Sequence, residues 1–169
     1  MIKIKQRHFI KKSELKPIKD NVLKQYDQKF ADQIFPVKCK VEIIQTEAGD
    51  TLYVVNNTLK LWKSKDGYIP VLTLLLNNQV NLKTVIVDFG AVRFITNGAD
   101  IMRPGITKID PSIQKGNIIQ IVEETKHRAL AVGKAMFDAL EMESKSSGKV
   151  IKNIHTIQDS IWEFEKSFT

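Results

Sequence analysis

Residues 85–106 read VIVDFGAVRFITNGADIMRPGI, and this stretch decides how the rest of the chain is read. An apolar strand, Val85-Ile86-Val87, runs into Asp88, a residue type that caps helices through its carboxylate. A short helix over Gly90–Thr96 should follow, closed by Gly98 just past its C-terminus, where a left-handed residue is favoured. Ile101-Met102 forms a further short strand before Arg103-Pro104-Gly105. Glycine turns on both sides of one short helix are expected to leave main-chain N–H groups open to a ligand, an anion above all.

Downstream the pattern stays β-rich. Pro111–Gly116 reads as a turn and Ile118–Glu123 as a strand. Ala129–Ala135 is another, with Gly133 inside it marking a bulge or a close backbone approach. Residues 141–148 read as a polar excursion, Val150–His155 as the last strand and Thr156–Phe164 as a closing helix. Many short strands punctuated by glycine predict a small closed barrel, which leaves no open sheet edge.

The first half is patterned differently. Ile2–Phe9 reads as a strand, and Ser13 as the N-cap of a helix whose Leu15, Ile18, Val22, Leu23 and Tyr26 recur at helical spacing. Cys39, Val41 and Ile43 alternate with Lys40 and Glu42, and a three-stranded antiparallel meander continues through Leu52–Val55, an Asn56-Asn57 turn and Leu59–Lys63. Lys65-Asp66-Gly67 closes it. Pro70, at a helix N1 position, opens the apolar helix that runs to Leu76. The expected organisation is an α+β domain over 1–80 and a β-rich domain over 81–169.

Charge is localised. The 169 residues carry a formal net charge of +7. Through Lys40 there are 11 Lys and Arg against 4 Asp and Glu, and from Val41 on 15 of each. The whole excess therefore lies in the first quarter, with Lys12, Lys16, Lys19 and Lys24 on the wet side of the first helix. A localised basic face favours a polyanion, and phosphates are the usual target.

Several classes fall away. The single cysteine, Cys39, forms no internal disulfide, and with no Cys or multi-His cluster it is not half of a zinc site. It reads as a reduced, partly buried residue of a cytoplasmic protein. The opening MIKIKQRHFIKK has no apolar signal core, and no apolar run reaches the roughly 18 residues of a membrane span. His8, His127 and His155 make no metal-binding pair, and no nucleophile elbow, Walker loop or dinucleotide fingerprint is present. Glu123-Glu124 are adjacent, so on a strand they would face opposite ways. No catalytic residue, metal or cofactor is expected.

The full set of features resembles a PUA domain, the RNA-binding module named for pseudouridine synthases and archaeosine transglycosylases. The resemblance runs over residues 83–165: VIVDFGAVRFITNGADIMRPGI, then Lys115-Gly116-Asn117-Ile118, Ala131-Val132-Gly133-Lys134-Ala135, Gly148-Lys149, and His155 with Asp159 and Trp162. The Asp66-Gly67-Tyr68-Ile69-Pro70 run and the apolar helix after it, directly before this module, resemble the stand-alone proteins related to malignant T-cell-amplified sequence, including short archaeal members. Val71 stands where that family usually has threonine. The resemblance implies an α+β N-terminal domain followed by a small all-β PUA pseudo-barrel with short helices, no catalysis, and RNA contact around Gly90, Arg93, Asn97, Gly98, Ala99, Arg103, Pro104 and Gly105, with Lys126 and Lys149 adding charge. Arg103 is the first choice for RNA contact.

Translation is the implied setting: transfer RNA or small-subunit ribosomal RNA, in initiation or recycling, with the small ribosomal subunit and a translation-factor partner, by a cytoplasmic monomer. Two other readings stay open. One is an accessory subunit of an RNA-modification enzyme. The other is a protein–protein adaptor, whose mark would be an exposed apolar face around Leu59, Leu61 and Trp62.

Overall fold

The computed structural model describes residues 1–168. The chain divides into two compact units, Met1–Asn81 together with the residues from Glu163 on, and Leu82–Trp162.

In the first unit a five-stranded antiparallel sheet is laid down in sequence order: β1 (Ile4–Phe9), β2 (Val41–Thr46), β3 (Thr51–Val55), β4 (Thr58–Ser64) and β5 (Gly67–Pro70). The expected three-strand meander is thus extended at both ends. Asn56 and Asn57 both have positive φ (51° and 66°), as the two central residues of a type I′ hairpin turn require. Pro70 ends β5 instead of opening a helix, and α3 (Leu72–Leu76) starts after Val71. Of the face expected of an adaptor, Leu59 and Leu61 are core residues at 2% and 0% exposure and Trp62 is half-buried.

Two helices join β1 to β2: α1 (Lys12–Gln25) and α2 (Gln28–Ile34). Ser13 lies inside α1; its entry is closed instead by the Glu14 carboxylate, which accepts from the Lys11 N–H at 3.1 Å. α2 is not among the expected elements. Its N-cap is Asp27, which accepts from the Phe30 N–H at 2.8 Å, and it buries Phe30, Ala31 and Ile34.

The alternation along β2 is also out of phase with the expectation, because Glu42 is buried. Arg7 of β1 compensates it through two bonds, Nε to Oε2 at 2.6 Å and Nη2 to Oε1 at 3.1 Å. The end of the chain packs in this unit too: Thr73 donates to the Glu165 carboxylate, and the Arg7 guanidinium stands 5.0 Å from the centre of the Phe168 ring. These contacts explain why residues from Glu163 on group with the first unit and not with the domain assigned to 81–169.

The second unit is a six-stranded sheet in the order β7-β11-β10-β9-β6-β8, built from β6 (Thr84–Val87), β7 (Ile101–Met102), β8 (Ile106–Ile109), β9 (Ile118–Glu123), β10 (Ala129–Ala135) and β11 (Lys149–Thr156). β6 pairs with β9 in parallel; the other pairs are antiparallel. β7 and β8 are the two outermost strands, yet only Arg103-Pro104-Gly105 separates them. A link of that length reaches roughly 14 Å at full stretch, so the sheet curls until its edges meet. The Arg-Pro-Gly turn is the seam of the barrel.

Val85, Ile101, Ile119, Ile121, Ala131 and Ile151 are among the residues that fill its interior. Gly133 sits at a bulge opposite β11. Around the barrel lie α4 (Val92–Thr96), α5 (Ala139–Ser144), in part of the stretch read as a polar excursion, and the start of α6 (Ser160–Phe168). No described helix is long and apolar enough to cross a membrane.

Candidate nucleic-acid interface

The 85–106 stretch builds a cleft by local rules. The Asp88 carboxylate accepts from the Ala91 N–H at 3.0 Å and opens a 3₁₀ turn, Phe89–Ala91, that leads into α4. After α4 the chain reverses through Gly98, whose φ of 95° suits glycine. Asn153 of β11 holds this reversal. Its side-chain amide donates to the carbonyls of Ile95 (3.0 Å) and Ala99 (2.9 Å), and its own N–H donates to Asp100 Oδ1 at 2.8 Å.

Between α4 and the seam lies a cavity of about 400 Å³. Its walls are mostly apolar: Ala91, Phe94 and Ile95 from the helical side, Ile101, Met102 and Gly105 from the seam. Phe94 and Met102 are 55% and 50% exposed, unusual for such large apolar side chains. Asp100 and Lys149 are its charged lining, joined by a 3.2 Å ion pair. Gly105 packs closely on the helical side: a Cβ there would come within 3.2 Å of the Ala91 Cβ, which would have to give way by a few tenths of an ångström.

The expected site residues separate into groups. Ala99, Gly105 and Lys149 line the cavity. Gly90, Asn97, Gly98 and Pro104 are exposed around it without lining it. Arg93 is exposed, with its guanidinium 4.8 Å from the centre of the neighbouring Phe94 ring. Lys126 lies in the exposed turn between β9 and β10, whose N–H groups at Thr125, Lys126 and Arg128 donate to Glu123. Those three bonds hold the Glu123 carboxyl below its ordinary range. Glu124 accepts from the Phe89 N–H at 3.3 Å. Both carboxylates of the Glu123-Glu124 pair thus organise loops.

Arg103 is the largest departure. Its side chain is 18% exposed and each of its three nitrogens already donates: Nε to the Met142 carbonyl (2.9 Å), Nη1 to the Ile106 carbonyl (3.2 Å) and Nη2 to Glu143 (3.4 Å). It ties the seam to α5. The N–H groups expected to be open are largely engaged as well: those of Ala91, Gly98, Ala99 and Arg103 donate to Asp88, Ile95, Phe94 and Gly148 respectively. With α4 only five residues long, the cleft is not a helix-terminus anion site. It is an apolar slot with an ion pair in its lining. Phe94 and Met102 are not among the expected site residues, although Ala91, Phe94 and Ile95 at i, i+3, i+4 mark one helical face.

In the first unit Lys12, Lys16 and Lys24 are exposed. Lys19 is partly withdrawn: its ammonium lies 3.3 Å from Asp32 and donates to the Phe35 carbonyl at 3.2 Å.

Comparison with known proteins agrees with both halves. A PUA domain model matches residues 83–157 and a Pre-PUA-like domain model residues 1–78. Translation machinery-associated protein 20 of Saccharomyces cerevisiae is 33% identical over 95% of this chain and 93% of its own length. Malignant T-cell-amplified sequence 1 of Rattus norvegicus is 33% identical over 90% of this chain and 87% of its own. The crystal structure of a hypothetical protein of the archaeon Pyrococcus horikoshii superimposes with a TM-score of 0.82 at 31% identity, covering 95% of this chain and 99% of that one.

Proposed function

The chain belongs to the family of malignant T-cell-amplified sequence 1 and translation machinery-associated protein 20, with a pre-PUA-like domain followed by a PUA domain, and on that premise we propose that it is a non-catalytic RNA-binding protein of the translation apparatus. Its ligand in this reading is a single-stranded stretch of RNA, the end of a transfer RNA or an unpaired segment of small-subunit ribosomal RNA, bound in initiation or recycling. The protein acts as a cytoplasmic monomer beside the small ribosomal subunit and a translation-factor partner.

One observation carries the reading. Phe94 and Met102 hold exposed apolar surface over a slot about 400 Å³ in volume, with Lys149 in its lining. An unstacked base fits that chemistry: its face packs on Phe94 and Met102, and the adjoining phosphate meets Lys149, whose ammonium has donors beyond its one ion pair with Asp100. A duplex has no unstacked base to offer. Phosphate attraction comes mainly from the first unit, through Lys12, Lys16 and Lys24, supported by the concentration of charge before residue 41.

The test is a gel shift with transfer RNA carrying or lacking its single-stranded 3′ end, with wild type and Phe94→Ala. Loss of one base stack costs about 1–3 kcal/mol, roughly a 5- to 150-fold weakening, with thermal stability unchanged. The same affinity for both RNAs and both proteins would remove the slot from the interface.

A further inference from the structure

The first unit contains a second cavity, of about 670 Å³, lined by the start of α1, the loop after α2 and the start of β2. That volume lies within the ~300–1,000 Å³ range of built ligand pockets. Its apolar lining includes Ile10, Leu15, Phe35, Val37 and Val41. Phe35 and Val41 are buried, at 1% and 3%, whereas Val37 stands 91% exposed. Five lysines share the lining, Lys11, Lys12, Lys16, Lys19 and Lys38, against one acid, Asp20. Among the described residues Lys11, Lys12, Lys16 and Lys38 make no ion pair, and Lys19 alone is matched, by Asp32.

An apolar floor under a ring of unmatched ammonium groups sets two demands on an occupant. It must bring apolar surface to cover the floor and negative charge to meet the rim. RNA meets the second demand only. The one aromatic ring in the lining, Phe35, is buried and offers no face for stacking, and apart from the lysines only Ser13, Asp20 and Cys39 could meet a base edge. The Cys39 thiol is pushed up by burial, so it stays neutral and adds to the apolar wall. Phosphates on the lysines would leave the floor wet. A polypeptide with a large apolar side chain between carboxylates meets both demands: the anchor supplies buried area, and the flanking acids supply steering and register.

We propose that this cavity is a docking site for a partner protein that inserts a phenylalanine- or leucine-class side chain flanked by aspartates or glutamates. The site lies wholly within the first unit and shares no residue with the RNA slot between α4 and the seam; of the lysines assigned to phosphate attraction it shares Lys12 and Lys16, so its apolar lining is what distinguishes the two ligands.

The experiment uses the full chain, methyl-labelled at Ile, Leu and Val, titrated with an acetylated Asp-Glu-Asp-Phe-Glu-Asp-Glu peptide. Serine in place of the phenylalanine gives one control peptide, lysines in place of the acids another, and a single-stranded RNA oligonucleotide is the third arm. The expected result is saturable shifts of the Leu15, Val37 and Val41 methyls by the phenylalanine peptide, about tenfold weaker binding of the serine peptide, and no binding of the basic one. Val37→Ser, a surface change that leaves the charge of the rim as it is, should weaken the phenylalanine peptide about fivefold while leaving RNA gel shifts as in wild type, which separates this site from the RNA reading. Equal affinity for the phenylalanine and serine peptides would reduce the site to a charged patch and overturn the proposal. Tighter perturbation of the same methyls by the oligonucleotide would overturn it in favour of RNA.

Discussion

Gly133→Ala is the most informative single perturbation of the barrel. A Cβ at this position would lie 2.6 Å from Ile151 Cγ2, 2.9 Å from Ile121 Cδ1 and 2.9 Å from the Lys152 carbonyl oxygen. Non-bonded heavy atoms rest at about 3.5–4.0 Å, so three neighbours must retreat by roughly an ångström each. Two of them are fully buried side chains, and the third is main chain of β11, which cannot move without loosening its pairing with β10 and β7. Overpacking of this kind costs about 1–3 kcal/mol, and the main-chain clash places Gly133→Ala at the upper end, about 3 kcal/mol. For a domain of this size that lowers Tm by on the order of 15 °C. Trp162 belongs to the second unit and Trp62 to the first. Urea unfolding followed by Trp162 fluorescence in a Trp62→Phe background therefore reads the barrel. Gly116→Ala is the control: its φ is 91° and nothing lies within 4 Å of its Cβ, so only the left-handed backbone is penalised, by about 1–2 kcal/mol. A Gly133→Ala protein within about 0.5 kcal/mol of wild type, or one no worse than Gly116→Ala, would refute the steric account of the bulge.

Arg103→Ala should destabilise the second unit by about 1–3 kcal/mol, because the Met142 and Ile106 carbonyls lose their guanidinium donor; urea midpoints check this, and an RNA defect without a stability defect would contradict it. Burial pushes the Asp159 carboxyl up, but bonds from His155 Nδ1 (2.6 Å) and from the Thr156 and Trp162 N–H groups outweigh it and hold the group below its ordinary value. A depressed carboxyl stabilises the fold above its unfolded pKa of about 4, and that contribution is lost as pH falls through the lower folded value; the margin of wild type over Asp159→Asn in urea titrations should therefore shrink below about pH 4. Neutralising Lys12, Lys16 and Lys24 to Gln should reduce the slope of log K against log salt for single-stranded RNA by about 2, measured by fluorescence anisotropy from low to moderate salt.

What is legible in the sequence follows from how far each feature's cause lies along the chain. The Asn56-Asn57 hairpin, the Asp88 cap and the Gly98 reversal are decided by one or two residues, and all three are present. Gly133 is readable because glycine in an apolar strand demands a steric reason, and Ile151 and Ile121 supply it. The elements that escape a sequence reading are short. β5 and β8 have four residues each, and α5, with six, buries only Ala139 and Met142. At those lengths no period can establish itself against Gly and Pro punctuation. Glu42 reads as a solvent-facing residue because nothing near it in sequence announces Arg7, thirty-five positions earlier. Arg103 points to RNA by its charge and by the resemblance of its stretch; its acceptor at Met142 lies thirty-nine positions away and becomes visible only when the barrel closes.

The same closure explains why the cleft is poor in phosphate-binding groups. The stretch that forms its walls also has to join β7 to β8, and closing the barrel consumes the polar groups there. Arg103 is taken by the seam, Asp88 and Glu124 by the turn before α4, and Asp100 by Lys149 and Asn153. What stays exposed is apolar, Phe94 and Met102, and suits a base face better than a phosphate. From Lys83 on the chain carries 12 basic against 11 acidic residues, too even a balance for long-range attraction of a polyanion. An RNA-binding chain so built needs its electrostatic attraction elsewhere, and the basic excess before residue 41 is where this sequence supplies it. On the proposed reading discrimination and attraction rest on different units, so a substitution in the cleft should change which RNA is preferred with little effect on salt dependence, and a substitution among the α1 lysines should do the reverse.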